Sequence, residues 1–127
     1  MRPDQIVDRY LQAVTERSPA ALAELVHPEY TFREWPNAIN PRGSERDLAA
    51  SRAGLEHAQE LLTEHAFDVH EHLVAGDTVV SRMTWRGTLA VGGQELTAHI
   101  SQHTTLKDGR VWRTESFDCY EPFTTAG

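Results

Sequence analysis

The stretch Gly76-Asp77-Thr78-Val79-Val80-Ser81-Arg82-Met83-Thr84-Trp85-Arg86-Gly87-Thr88-Leu89, with Gly92-Gly93 and Lys107-Asp108-Gly109-Arg110-Val111 beyond it, decides the fold. Gly76-Asp77 and Asp108-Gly109 are turn dipeptides, and Gly92-Gly93 reads as a two-residue hairpin loop. The segments between them are rich in β-branched and aromatic residues. Strands are therefore expected from Thr78 to Val91, Gln94 to Lys107 and Arg110 to Tyr120.

The turns also predict a register. With Asp108-Gly109 as the loop, Leu106 lies opposite Val111, Thr104 opposite Arg113, Gln102 opposite Glu115 and Ile100 opposite Phe117. With Gly92-Gly93 as the other loop, Leu89 lies opposite Leu96, Trp85 opposite Ile100, and Met83 opposite Gln102. Alternation then gathers Val79, Met83, Trp85, Leu89, Leu96, Ile100, Leu106, Val111 and Phe117 on one face. Two turns placed independently yield one apolar face, which argues for a meander folded over a core. The opposite face carries Arg82, Thr84, Arg86, His99, His103, Thr114, Ser116 and Asp118 and reads as solvent or as a polar subunit interface. A β-bulge in the last strand would swap the faces beyond it and exchange Glu115 for Asp118 as the inward acid.

Upstream, the pattern changes to helical. Ile6, Val7, Tyr10, Leu11 and Val14 form one apolar stripe. Ser18-Pro19 combines an N-cap with a first-turn proline, so a short second helix carries Leu22, Leu25 and Val26 inward until His27-Pro28. Tyr30 to Trp35 alternates as a short strand, and Pro36 to Gly43 is a loop. Ser44-x-x-Asp47 looks like a capping box opening a third helix, with Leu48, Leu55, Ala58 and Leu62 buried, to about Thr63. Phe67 to Val74 is a further strand. The expected fold is α+β: one cone-shaped domain over residues 1–127, with three helices packed on a strongly curved antiparallel sheet and one apolar pocket between them.

Composition narrows the function. With 39% hydrophobic and 24% charged residues the chain can bury a core. The net charge of −7 lacks the basic footprint that phosphate backbones need, so no nucleic-acid partner is expected. No apolar run approaches the roughly 20 residues that span a bilayer, and Met1 to Gln5 leads straight into the first helix without a signal-peptide core. A single cysteine, Cys119, reads as a small buried hydrophobe and points to a reducing, cytoplasmic setting. The seven histidines lack the spacing of a metal framework, His70-Glu71-His72 included, and no metal or cofactor is expected.

The polar residues on the apolar face carry the functional reading. Arg113 and Glu115 either pair with each other in water at the open end of the sheet, or line the pocket and orient a polar ligand. Tyr10 is either a core tyrosine with a satisfied hydroxyl or a hydrogen-bond donor to the pocket. Glu34 lies between Phe32 and Trp35. It is either a solvated rim residue or a base whose ionisation its aromatic setting shifts towards neutrality. Trp35, Phe32, Met83, Trp85, Ile100 and Phe117 are the expected apolar walls.

Asp8-Arg9-Tyr10-Leu11, Leu25-Val26-His27-Pro28-Glu29-Tyr30-Thr31-Phe32, Gly76 to Arg82, Gly87-Thr88-Leu89, Lys107 to Val111 and Ser116-Phe117-Asp118 resemble the nuclear-transport-factor-2-like (NTF2-like) superfamily. Within it, the chain is most similar to the SnoaL-like polyketide cyclase and ketosteroid-isomerase-like branch. Tyr10 falls where ketosteroid isomerases have an oxyanion-hole tyrosine, Glu34 where they have their aspartate base, and Gln102 where they have a protonated aspartic acid. Asp118 matches the acidic residue of SnoaL-type cyclases near the end of the last strand, with His103 as a candidate partner. The resemblance implies a cofactor-independent isomerase or cyclase that removes a proton next to a carbonyl. Glu34, Tyr10, Gln102 and Asp118 would be its catalytic candidates, and a small apolar or carbonyl-containing molecule its ligand. A non-catalytic binding or scaffold module of the same fold is the other implied reading, and a homodimer is implied by both.

Overall fold

A computed structural model describes residues 1–123; the end of the expected 1–127 domain, residues 124–127, lies outside the described residues. The N-terminal stripe forms α1 (Pro3–Thr15), which buries Ile6, Val7, Tyr10, Leu11 and Ala13. Ser18 caps α2 (Pro19–Leu25) by accepting from the Ala21 amide at 3.2 Å. The chain then enters β1 (Val26–Glu34) directly, four residues earlier than Tyr30.

Ser44 does not cap a helix. Ser44–Asp47 is a short strand, β2, antiparallel to β1, with Phe32 opposite Arg46. The N-cap of α3 (Leu48–Leu61) is Asp47, whose carboxylate accepts from the Ala50 amide at 2.9 Å. The expected cap residue thus lies three positions too early, because a serine and an aspartate both suit an N-cap and only strand pairing separates them.

β3 (Leu62–Ala75), β4 (Thr78–Leu89), β5 (Glu95–Lys107) and β6 (Arg110–Tyr120) complete a sheet of order β2-β1-β6-β5-β4-β3. All neighbours are antiparallel except β1 and β6. The helices lie on one side of this sheet. Their shared core includes Val7, Leu11, Leu22, Val26, Val79, Met83, Ala98, Ile100 and Val111. The fold is the α+β arrangement of three helices on a curved six-stranded sheet.

Two hairpins depart from the expected register in different ways. Asp108 and Gly109 both have positive φ (55° and 72°), as a tight hairpin turn of this kind requires. Between β4 and β5, however, Met83 pairs with Ile100 and Trp85 with Ala98. The connection is longer than Gly92-Gly93, and the Leu89 amide donates to the Gln94 carbonyl at 2.9 Å. This slip changes partners but keeps each residue on its face, since opposite positions shift by an even number.

The second departure changes faces. Leu106 pairs with Val111, but Thr105 pairs with Arg113, leaving Trp112 as an extra residue. Beyond this β-bulge, Thr114, Ser116, Asp118 and Tyr120 turn inward, and Arg113, Phe117 and Cys119 are exposed. The expected inward placement of Arg113, Glu115 and Phe117 is therefore reversed, as is the burial of Cys119. A similar irregularity between Val69 and Glu71 puts His70 and His72 on opposite sides: His70 bonds Thr84, and His72 bonds Ser81 and Asp8.

Candidate functional site

Between α1 and the inner face of the sheet lies a cavity of about 320 Å³. Tyr10 of α1, Glu34 at the end of β1, Gln102 of β5 and Asp118 of β6 all line it. Phe32, Trp85 and Ile100 supply apolar wall, together with Phe67, Leu62 and Tyr120. The four polar residues come from four elements, so the sheet's curvature and the seat of α1 bring them together.

Tyr10 and Tyr30 hydrogen-bond through their hydroxyls, both buried. Burial pushes the Tyr10 phenol up, offset in part by the neighbouring Thr114 and Tyr30 hydroxyls. Burial, then the neighbouring Tyr10, pushes Tyr30 well up. Both stay neutral phenols at ordinary pH, and one hydroxyl hydrogen of the pair is left for another acceptor. Gln102 is 5% exposed, and its Oε1 is buried without a hydrogen-bond partner among the described residues.

Glu34 is not isolated among aromatics. Its Oε2 accepts from Asn37 Nδ2 at 2.7 Å, and Oε1 lies 3.7 Å from Arg46 Nη2. The Arg46 guanidinium also lies over the Phe32 ring, 4.9 Å from its centroid. Asp118 accepts a hydrogen bond from Ser116 on one carboxylate oxygen. Burial pushes its carboxyl up; the Ser116 bond opposes this, the Glu34 charge adds to it, and Arg46 opposes it. The Tyr120 phenol is likewise pushed up by burial, then by the Asp118 and Glu34 charges. A desolvated carboxyl whose ionisation is shifted towards neutrality is suited to giving and taking protons.

Trp85 is held from two sides. Its indole Nε1 donates to His65 Nδ1 at 3.0 Å, and His65 Nε2 lies 3.0 Å from the Thr15 carbonyl. The ring lies over Gly87, where a Cβ would come within 2.3 Å of it.

The remaining expected residues lie elsewhere. Met83 is buried in the core and is not part of the cavity wall. Trp35 and Phe117 stack on each other outside, with centroids 5.7 Å apart, 38% and 41% exposed. Arg113 and Glu115 border an outer cleft with Arg33, Glu45 and His103. The expected pairing of Asp118 with His103 fails because the two lie on opposite faces: His103 packs against Phe117 instead. Sequence spacing does not single out Arg46, Ser116 and Tyr120: Ser44 also suits a helix N-cap, which would put Arg46 in the first helical turn, and the bulge at Trp112 is what turns the other two inward.

A family profile described as a SnoaL-like domain matches residues 7–114. The chain belongs to the SnoaL-like domain family. No curated relative matches the sequence significantly. Among solved structures, this SnoaL-like domain is similar to wild-type IdmH from Streptomyces antibioticus, a proposed polyketide cyclase. The two are 19% identical with a TM-score of 0.77 over 93% of this chain and 92% of that one. It is also similar to a hypothetical protein of ketosteroid isomerase-like fold from Catenulispora acidiphila DSM 44928, in complex with trimethylamine. Identity is 15% and TM-score 0.75, over 88% and 83% of the chains. TerC, co-crystallised with polyporic acid, is 18% identical with a TM-score of 0.75 over 91% and 90%. At these identities the likeness speaks for the fold. The SnoaL-like domain therefore has the NTF2-like, ketosteroid isomerase-like fold. No helix among the described residues is long and apolar enough to cross a membrane.

Proposed function

We propose that the cavity is the site of a cofactor-independent isomerase or cyclase that removes a proton next to a carbonyl group. The observation that carries this reading is the convergence of Tyr10, Glu34, Gln102 and Asp118 on one mainly apolar cavity. Asp118 is the favoured base, because Ser116 occupies one of its oxygens and leaves the other, whereas Asn37 and Arg46 engage both oxygens of Glu34. Glu34 then holds Arg46 in place.

In the proposed step Asp118 takes a proton from the carbon next to the carbonyl. The C–H electron pair moves into a C=C bond as the carbonyl oxygen becomes anionic. Tyr10 O–H and the Gln102 amide donate to that oxygen. The carboxylic acid formed at Asp118 then returns its proton. It returns it to another carbon in an isomerisation, or to the alkoxide formed when the enolate carbon attacks a second carbonyl of the same molecule in a cyclisation. The ligand class this favours is a small apolar molecule bearing carbonyl groups. The likeness to IdmH and TerC supports it.

The test is deuterium exchange into β-tetralone and related enolisable ketones, followed by NMR. The wild type should accelerate exchange. Asp118→Asn should abolish it, Tyr10→Phe should slow it about 100- to 1000-fold, and Glu34→Gln should cost less than Asp118→Asn. No acceleration with any ketone would sink the reading and leave a binding module. We further propose a homodimer through the outer sheet face, supported by the exposed Trp35–Phe117 stack. A cytoplasmic setting is supported by the exposed, unpaired Cys119.

A further inference from the structure

A second chamber of about 210 Å³ adjoins the cavity beneath α3. Tyr10, Val14, Phe32 and Arg46 line both. Leu22, Leu55 and Ala58 make the second chamber apolar, so each polar group at its wall needs a reason.

Arg46 is the first such group. Nη2 turns to Glu34, but 3.7 Å is an ion-pair distance and not a hydrogen bond. Nη1 lies beside Gly54, where a Cβ would sit 3.2 Å from it. Nε is buried without a partner among the described residues. Ser51, on the facing turn of α3, is the second. It is 9% exposed, and its hydroxyl is buried without a hydrogen bond. The hydroxyl meets no hydrogen-bond geometry but lies beside Tyr30 and favours its ionised form as a weak donor would; to serve a ligand in the chamber that it lines, it would turn from Tyr30 to that ligand. A guanidinium and a hydroxyl with unused donors, at the wall of an apolar room, call for an oxygen acceptor. A carboxylate answers both, because it accepts at two oxygens and carries the opposite charge to Arg46.

We propose that the second chamber is a subsite for a carboxylate group of the ligand, with Arg46 and Ser51 as its donors and Leu22, Leu55 and Ala58 as the apolar floor. The inference rests on the adjoining cavity being a ligand site, as proposed above, but not on any reaction there. It narrows the ligand to an elongated apolar molecule with a carboxylate at one end and its carbonyl at the other.

The test is calorimetric titration with naphthoate and with naphthylmethanol, which keeps the ring and an oxygen but lacks the charge. Wild type should bind naphthoate about tenfold or more tightly than the alcohol, the scale of a charge-assisted hydrogen bond. Ser51→Ala should weaken naphthoate about fivefold. Gly54→Leu fills the chamber with a good helix former and should cut the preference below about threefold. Gly54→Ala, a milder change, should lower naphthoate affinity in the same direction. Equal affinities for the two probes in wild type, or a preference unchanged in Ser51→Ala and in both Gly54 variants, overturns the subsite. Ketone exchange is a separate readout. If it fails while the naphthoate preference behaves as described, the reaction falls and the subsite stands. The converse result overturns the subsite alone.

Discussion

Trp85 Nε1 donates to His65 Nδ1 across 3.0 Å, and this bond fixes which proton His65 carries. Nδ1 must be bare to accept, so the neutral ring holds its hydrogen on Nε2 and donates it to the Thr15 carbonyl. One imidazole thereby ties a cavity wall on β4 to the end of α1.

Protonating His65 would put an N–H against the indole N–H. Burial lowers its pKa, and the Arg17 charge acts in the same sense, while backbone carbonyls of Thr15 and Val14 oppose them. Between the lowered folded value and the ordinary value near 6.5, the folded state binds fewer protons than the unfolded one. Stability therefore rises with pH across that window and is lost as pH falls through it. Melting temperatures of wild type and His65→Gln, followed from pH 7.5 down to 5, should converge on acidification. A constant gap would sink the assignment.

Gly87 is the seat of the indole. In Gly87→Ala the new Cβ meets two ring carbons at 2.3 and 2.5 Å, so Trp85 must move toward the cavity. The expected cost is about 1–3 kcal/mol, as for overpacking, with a shifted tryptophan emission. An unchanged melting temperature and spectrum would show that the ring is free to move.

Asp118, the proposed base, is also a source of instability. Its raised carboxyl pKa means that the folded state binds more protons than the unfolded one between about 3.8 and the folded value. Stability contributed through this group therefore falls as pH rises across that window. Asp118→Asn should melt about 2–4 °C higher than wild type at pH 7. Ketone exchange by the wild type should grow with pH, with a midpoint above the ordinary carboxylate value. A midpoint at or below 3.8 would remove Asp118 from the role of base.

The outer Trp35–Phe117 stack gives a test of assembly. Arg33 lies over Trp35, 5.2 Å from its centroid, and His103 packs on Phe117 at 5.2 Å. Phe117→Glu should convert the proposed dimer to a monomer in light scattering, with little effect on folding because the side chain is already 41% exposed. A monomeric wild type would end the proposal.

Much of the fold was legible in the chain. The helical stripe of Ile6, Val7, Tyr10 and Leu11, the Ser18-Pro19 start and the Asp108-Gly109 turn all report local chemistry, and local chemistry dictated those elements. Tyr10, Glu34 and Gln102 could be picked out because the bulge at Trp112, which reverses the faces of β6, lies outside the elements that carry them.

The residues beyond it could not. A two-position slip at Gly92-Gly93 preserved every face, whereas one extra residue at Trp112 reversed all that followed. That bulge sent Arg113, Glu115 and Phe117 out and brought Ser116, Asp118 and Tyr120 in. Arg46 entered the site only because Ser44–Asp47 pairs with β1. The sequence by itself determined the first two helices, the long strands from β3 to β6 and their order, since these follow from spacing and turn residues. The tertiary structure alone decided which acid meets the cavity, because strand side chains alternate with period two and a single bulge, set by pairing between strands, inverts that alternation.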